Sequence, residues 1–260
     1  MRAKKSFGQN FLKSKVIISD IIKTADISND DAVLEIGPGR GDLTESLLAK
    51  ARVVVAVEKD HELIEILEKK FTKEIELKKL ILFCGDVLDF NISENKSLRD
   101  GYKIVANIPY YITGVFLRKI FEECIKPDSI ILMLQKEVAK RIVARDGKES
   151  ILSISVKTYG TPHYIKKVSA SYFSPKPKVD SAILQITKIN SPFKNSTQER
   201  CFFDLVHSGF AHKRKLLKNN LSHANYIDIE KSFALCEIKP NARAEDLSIK
   251  QWFCLAKKLK

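Results

Sequence analysis

Ala32-Val33-Leu34-Glu35-Ile36-Gly37-Pro38-Gly39-Arg40-Gly41-Asp42 decides the fold of this 260-residue chain. Residues 32–36 are almost continuously apolar, which reads as a short strand buried on both faces. Glycines at 37, 39 and 41 then make a turn in which the backbone can approach a ligand closely, and Leu43 to Lys50 continues as a helix. Strand, glycine turn and helix form the first half of a nucleotide-binding βαβ unit. The spacing excludes the NAD fingerprint, which requires glycine at 42, where this chain has Asp42.

The G-x-G-x-G form is the one found in S-adenosylmethionine enzymes, and the next strand ends carry residues suited to such a ligand. Val53 to Val57 ends at Glu58, nineteen residues beyond Gly39, where a carboxylate can accept from both ribose hydroxyls. Leu80 to Phe83 leads into Cys84-Gly85-Asp86-Val87, and an acid there can accept from an adenine amino group. A fourth strand, Lys103 to Ala106, delivers Asn107-Ile108-Pro109-Tyr110-Tyr111 to its carboxyl end, where open α/β sheets place their chemistry. The side-chain oxygen of Asn107 and a backbone carbonyl fixed by Pro109 make two acceptors for one amino group, and Tyr110 offers a flat face to a base. Each feature alone is ordinary turn or cap chemistry; their recurrence at successive strand ends makes them functional.

Forty-five basic against thirty-two acidic residues give +13, which points to a polyanionic partner. Residues 188–260 hold 14 Lys/Arg and 7 Asp/Glu and so carry +7 of it. The hydrophobic content of 44% describes a soluble globular protein. No apolar run approaches the ~20 residues of a membrane helix, and Met1 to Ser6 leads into no signal-peptide core, so a cytoplasmic protein is expected. Cys84, Cys124, Cys201, Cys236 and Cys254 contain no C-x-x-C pair; they read as reduced, mostly buried thiols, and no metal site is indicated.

Further along, a helix is expected over Val115 to Cys124, a fifth strand over Ser129 to Leu134, and an amphipathic helix over Gln135 to Ile142. Residues 151–168 and 180–187 read as the last two strands. Between them Tyr172-Phe173-Ser174-Pro175-Lys176-Pro177-Lys178-Val179-Asp180 is a proline-stiffened loop that would hold Phe173 as a second stacking ring. A polar linker at 190–197 separates a catalytic domain, 1–188, from a helical, basic domain, 189–260. There Lys213-Arg214-Lys215 and Lys218 are expected on one helix, with Arg214, Lys215 and Lys218 sharing a side that can follow a phosphate backbone.

The chain resembles the KsgA-type ribosomal RNA adenine dimethyltransferases almost end to end. The resemblance is carried by Phe7-Gly8-Gln9-Asn10-Phe11-Leu12, Glu35 to Gly41, Val57-Glu58, Gly85-Asp86, Asn107 to Tyr110, Leu134-Gln135-Lys136-Glu137, Phe173 to Ser181 and Asn241 to Glu245. It implies an α/β fold, a seven-stranded Rossmann-like class I methyltransferase sheet with a small C-terminal all-α domain. It also implies S-adenosylmethionine as methyl donor, no metal, and two methyls placed on N6 of each of two adjacent adenosines near the 3′ end of small-subunit rRNA. Asn10, Leu12, Gly37, Gly39, Glu58, Asp86 and Asn107 would contact the cofactor; Asn107, Pro109, Tyr110 and Phe173 would act on the target base; Arg214, Lys215, Lys218, Lys176 and Lys178 would hold RNA. The expected partner is small-subunit rRNA in a pre-30S-like particle, bound by a monomer. Two alternatives accompany this reading: a large-subunit adenine methyltransferase of the macrolide-resistance type, and an assembly factor whose methylation is secondary. The first usually carries threonine at Pro38 and lacks the Phe-Gly-Gln and Leu-Gln-Lys-Glu segments.

Overall fold

The computed structural model describes residues 4, 9–108 and 112–259. In chain order the strands are β1 (Phe11–Leu12), β2 (Ala32–Ile36), β3 (Val53–Glu58), β4 (Leu80–Cys84), β5 (Lys103–Asn107), β6 (Ser129–Gln135), β7 (Thr161–Val168), β8 (Phe173–Ser174) and β9 (Ser181–Thr187). The α-helices are α1 (Lys15–Ala25), α2 (Asp42–Leu48), α3 (His61–Lys70), α4 (Thr72–Glu76), α5 (Thr113–Glu122), α6 (Lys136–Val143), α7 (Ile151–Tyr159), α8 (Ser196–Gly209), α9 (Leu217–His223), α10 (Ile229–Leu235) and α11 (Ile249–Lys258).

Seven of the described strands form one sheet in the order β4-β3-β2-β5-β6-β9-β7. The first five are parallel, β9 runs antiparallel to β6, and β7 antiparallel to β9. The expected seven-stranded α/β sheet is therefore present. Every residue of β2 and β3 is buried, which explains why Glu35 and Glu58 are their only residues that are not apolar. From β2 the chain winds outward through β3 and β4, then returns to lay β5 on β2's other side, so a switch point falls between β2 and β5.

Several helices, α1 and α3 among them, start where short polar side chains can satisfy free amides. The Ser14 hydroxyl accepts from Ile17 N to begin α1, whose Ile17, Ile18, Ile21 and Ile22 enter the core; the Asp60 carboxylate accepts from Glu62 N to begin α3. A separate two-stranded ladder pairs Leu12 with Phe173 and Phe11 with Ser174.

Two compact units are distinguished: residues up to Ala139 together with Gly160–Ile189, and Lys140–Tyr159 together with Asn190 onward. In the second, Phe202, Leu205, Leu217, Leu221, Trp252 and Leu255 form a buried helical core. Residues 140–159 belong to this unit, beyond the boundary at 188/189.

Three expectations are corrected. Residues 151–159 form α7, not the front of a strand. Ser150 and Ser153 exchange hydrogen bonds at its start, and Ile154 and Val156 are fully buried. Tertiary burial outweighs the alternating pattern. Cys236 and Cys254 are joined in a disulfide, while Cys84, Cys124 and Cys201 are exposed. Their separation of eighteen residues carries no local signal, because the folding of α10 toward α11 brings them together. Finally, residues 213–215 lie in a turn before α9, and of the basic set only Lys218 is helical. The Asn220 amide donates to the carbonyls of Gly209 (2.6 Å) and His212 (3.2 Å), which folds the chain back before α9 begins.

Candidate active site

A cleft opens at the carboxyl ends of β2, β3, β4 and β5. Its walls include Asn10, Phe11, Gly37, Gly39, Glu58, Lys59, Asp86, Val87, Asn107 and Ile108. Gly37 and Gly39 have φ of 68° and 59°, a region that side chains strain to enter. A Cβ on Gly39 would lie 3.0 Å from the Phe11 ring, and one on Gly37 would lie 3.6 Å from the carbonyl of Asn107. Glycine is thus favoured at 37 by its positive φ, and at 39 by both its φ and the close Phe11 ring. The Arg40 guanidinium covers the Phe11 ring at 4.8 Å from its centroid.

Glu58 is 8% exposed at the end of β3. Its Oε2 accepts from Gly39 N (3.2 Å) and its Oε1 from Asp60 N (3.0 Å), tying the glycine loop to the start of α3. Burial pushes its pKa up, against the pull of the backbone donors at Asp60, Gly39 and Lys59. Asp86 is pulled the other way: the Lys59 ammonium 2.7 Å from its Oδ2 holds it below the usual carboxylate range, while Leu88 N donates to Oδ1 at 2.9 Å.

Asn107 Nδ2 donates to the main-chain carbonyl of Asn10 at 3.1 Å. This bond decides which end of the amide is nitrogen. The oxygen is the acceptor that the amide can offer a ligand. Behind the cleft, Glu35 is 1% exposed, and both its oxygens lack a hydrogen-bond partner among the described residues. Burial, opposed by Thr44 and Lys70 and helped by Glu58, pushes this acid up to about 8, so it is protonated at neutral pH.

The structure therefore brings together Asn10, Gly37, Gly39, Glu58, Asp86 and Asn107. Pro109 and Tyr110 lie outside the described residues, as do Phe7 and Gly8. Leu12 points into the core, 6% exposed. Phe173 is 4% exposed and packed in the same core, with its backbone paired to Leu12. Lys176 and Lys178 line a separate groove with Gln135, Lys136 and Asp180, and Arg214, Lys215 and Lys218 belong to the helical unit.

Sequence reading assigned no role to Asp60, which is 2% exposed and receives Lys4 Nζ (2.7 Å) and Gln9 Nε2 (2.8 Å). These bonds fasten the segment before β1 to the start of α3. The available signal was an acid opening a helical pattern directly after the strand-end glutamate. Among the described residues no group of three or more His, Cys, Asp or Glu is placed to hold a metal ion, and no helix is long and apolar enough to cross a membrane.

A family model described as Ribosomal RNA adenine dimethylase matches residues 1–260. The chain belongs to this family. The KsgA-type resemblance of its motifs is borne out by relatives called Ribosomal RNA small subunit methyltransferase A. One, from Dehalococcoides mccartyi, is 39% identical over 97% of this chain and 87% of its own length. Another, from Fusobacterium nucleatum, is 39% identical over 98% of this chain and 96% of its own. Among solved structures, a dimethyladenosine transferase from Plasmodium falciparum superposes with TM-score 0.75, at 27% identity over 94% of this chain and 95% of its own. The 23S rRNA methyltransferase ErmE superposes with TM-score 0.78, at 25% identity over 96% and 99%. As a ribosomal RNA adenine dimethylase, the chain is an enzyme of methyl transfer.

Proposed function

We propose that the chain transfers methyl groups from S-adenosylmethionine to N6 of two adjacent adenosines near the 3′ end of 16S rRNA, giving dimethyladenosines during small-subunit biogenesis. The observation that carries this reading is the placement of Asn107 beside Gly37 at the switch point, with Glu58 and Asp86 at the next two strand ends. The small-subunit relatives support the choice of RNA, as do the Phe-Gly-Gln and Leu-Gln-Lys-Glu segments.

The cleft suits the cofactor. Its glycine cradle takes a ligand's backbone-facing edge, the buried carboxylate of Glu58 takes vicinal hydroxyls, and Asp86 takes an amine. When bound, S-adenosylmethionine supplies an activated methyl on sulfur, so the chain need supply neither a nucleophile nor a strong base. Its own task is to position the adenine amine. The N6 lone pair is delocalised into the ring, and acceptors on its N–H bonds favour a more pyramidal nitrogen. Asn107 Oδ1, with its amide held from behind by Asn10, provides one such acceptor. Pro109 and Tyr110 would complete the amine and base contacts. A base leaving its stack costs a few kcal/mol, which aromatic stacking on Tyr110 offsets in part.

In this reading the unit built on the seven-stranded sheet performs catalysis and the basic helical unit binds RNA through Arg214, Lys215 and Lys218, with residues 140–159 contributing to the latter. The working form is a cytoplasmic monomer on a pre-30S-like particle. Mass spectrometry of both ribosomal RNAs from cells with and without the protein tests it. Loss of the paired dimethyladenosines of the small subunit is expected on deletion. Loss confined to large-subunit RNA would replace this reading with the macrolide-resistance type, and no loss in either RNA would leave an assembly role.

A further inference from the structure

The ring expected above the site is buried, but its neighbour is not. Tyr172 is 43% exposed, and its backbone is held at both ends: its N–H donates to Ser169 O at 3.1 Å, and its carbonyl accepts from Lys13 N at 2.9 Å. The turn beneath it is fixed in turn, since the Ser169 hydroxyl accepts from Ser171 N and the Asp180 carboxylate from Ala170 N. The residue that follows, Phe173, is locked into the core. An exposed aromatic on so fixed a base has only its two side-chain torsions left to order.

The surroundings are cationic. Lys13, Lys176 and Lys178 are exposed. The acid of the adjoining groove, Asp180, is already engaged by Lys167 at 3.0 Å, with Lys136 at 4.0 Å, and its pKa is lowered by the Lys167 hydrogen bond. Lys13 lies three residues beyond Asn10, whose carbonyl orients Asn107. The backbone of Tyr172 is thus tied to the chain three residues from Asn10, at most about 10 Å of extended backbone. A flat ring among exposed lysines beside a base-modifying cleft is the composition of a single-strand stacking platform.

We infer that Tyr172, with Lys13, Lys176 and Lys178, forms a binding site for single-stranded RNA next to the target adenosine, the ring stacking on a flanking base and the lysines following its phosphates. The inference rests on the proposed rRNA reading for its biological ligand, but its test does not require methyl transfer. The probe is a short single-stranded oligoadenylate, titrated against the full-length protein and its variants over a range of salt. Tyr172→Ala is expected to weaken binding roughly 5- to 150-fold with an unchanged salt slope, and Tyr172→Phe to bind within about twofold of wild type, because stacking needs the ring and not the hydroxyl. Lys13→Ala should lower the log–log salt slope by about 0.7. S-adenosylmethionine affinity should be the same in all three variants, a readout that a general folding defect would move. Oligoadenylate affinity unchanged in Tyr172→Ala, or Tyr172→Phe as weak as Tyr172→Ala, overturns the platform. If the platform result holds while small-subunit RNA goes unmethylated in cells, only the substrate assignment fails.

Discussion

Asn107 and Asn10 are joined by a single hydrogen bond, side-chain nitrogen to main-chain carbonyl at 3.1 Å, that spans almost a hundred residues of sequence. It turns an amide at the end of β5 into an oriented acceptor. Asn107→Ala is therefore expected to abolish methyl transfer while leaving RNA affinity nearly intact, as measured by single-turnover methylation beside filter binding. Asn107→Asp should be just as inactive, because it removes the donor that Asn10 fixes and sets a carboxylate against a carbonyl. A near-normal rate in either variant would remove the acceptor role.

Glu58 ties two amides and, in the proposed function, two ribose hydroxyls. Glu58→Ala should weaken S-adenosylmethionine binding by about 1.5–3 kcal/mol, the range for hydrogen bonds to a charged group. Isothermal titration gives the value, and undiminished affinity would exclude the ribose contact.

Glu35 makes stability depend on pH in a direction opposite to most carboxylates. Its folded pKa is raised from 4.5 to about 8, so between those values the unfolded chain has released a proton that the native protein retains. Stability from this group then falls as pH rises from about 5 to 8, by at most about 1.4 kcal/mol per pH unit, and levels off above. Glu35→Gln should flatten that fall, which denaturant melts at pH 5, 6.5 and 8 will register. Parallel pH profiles for the two proteins would show that Glu35 is ionised in the folded state.

In the helical unit, a Cβ on Gly209 would lie 2.5 Å from the Trp252 ring and 2.9 Å from Leu217. Trp252 and Leu217 are fully buried and have little room to give. Gly209→Ala should cost about 1–3 kcal/mol of that unit's stability, visible as a lower melting temperature, with cofactor affinity unchanged.

The basic residues before α9, Lys213 to Lys215, are exposed on a turn instead of lying along one helix. Replacing Arg214, Lys215 and Lys218 with alanine should weaken RNA binding and flatten the log–log salt slope by roughly 2–3, at ~0.7–0.9 for each phosphate that is no longer neutralised. An unchanged slope would assign the RNA-binding surface of this protein to its sheet-bearing unit.

How much of this could be read in advance depended on how local the signal was. β2, β3, β5 and β6 were legible because strands buried on both faces are largely apolar runs, and the half-exposed β4 because it is apolar too; Gly37, Glu58, Asp86 and Asn107 were legible because each follows or closes such a run. Residues 151–159 were not: Ile-Leu-Ser-Ile-Ser-Val alternates as a strand does, and its helix is decided by a serine pair at its start and by the burial of Ile154 and Val156. Phe173 gave no sign that its ring is buried, since its backbone partner Leu12 comes from the other end of the chain. Asn220, which bends residues 210–216, looks like any polar residue on a helix until its two carbonyl partners are seen. The cleft was thus readable at its strand ends, and its outer supports were not.

The strand order β6-β9-β7 has a consequence for how the enzyme is made. β7 leaves the ribosome before β9, yet has no place in the sheet until β9 has paired with β6 and offered it an edge. Until β9 has emerged and paired, therefore, the β7 segment has backbone hydrogen-bonding groups with no place in the sheet, a template for unwanted pairing. Its side chains fit that interval: in Thr161–Val168, His163, Lys166 and Lys167 are exposed, and charge on a waiting edge discourages intermolecular association. The last strand laid down is an internal one, so the protein completes its sheet by insertion.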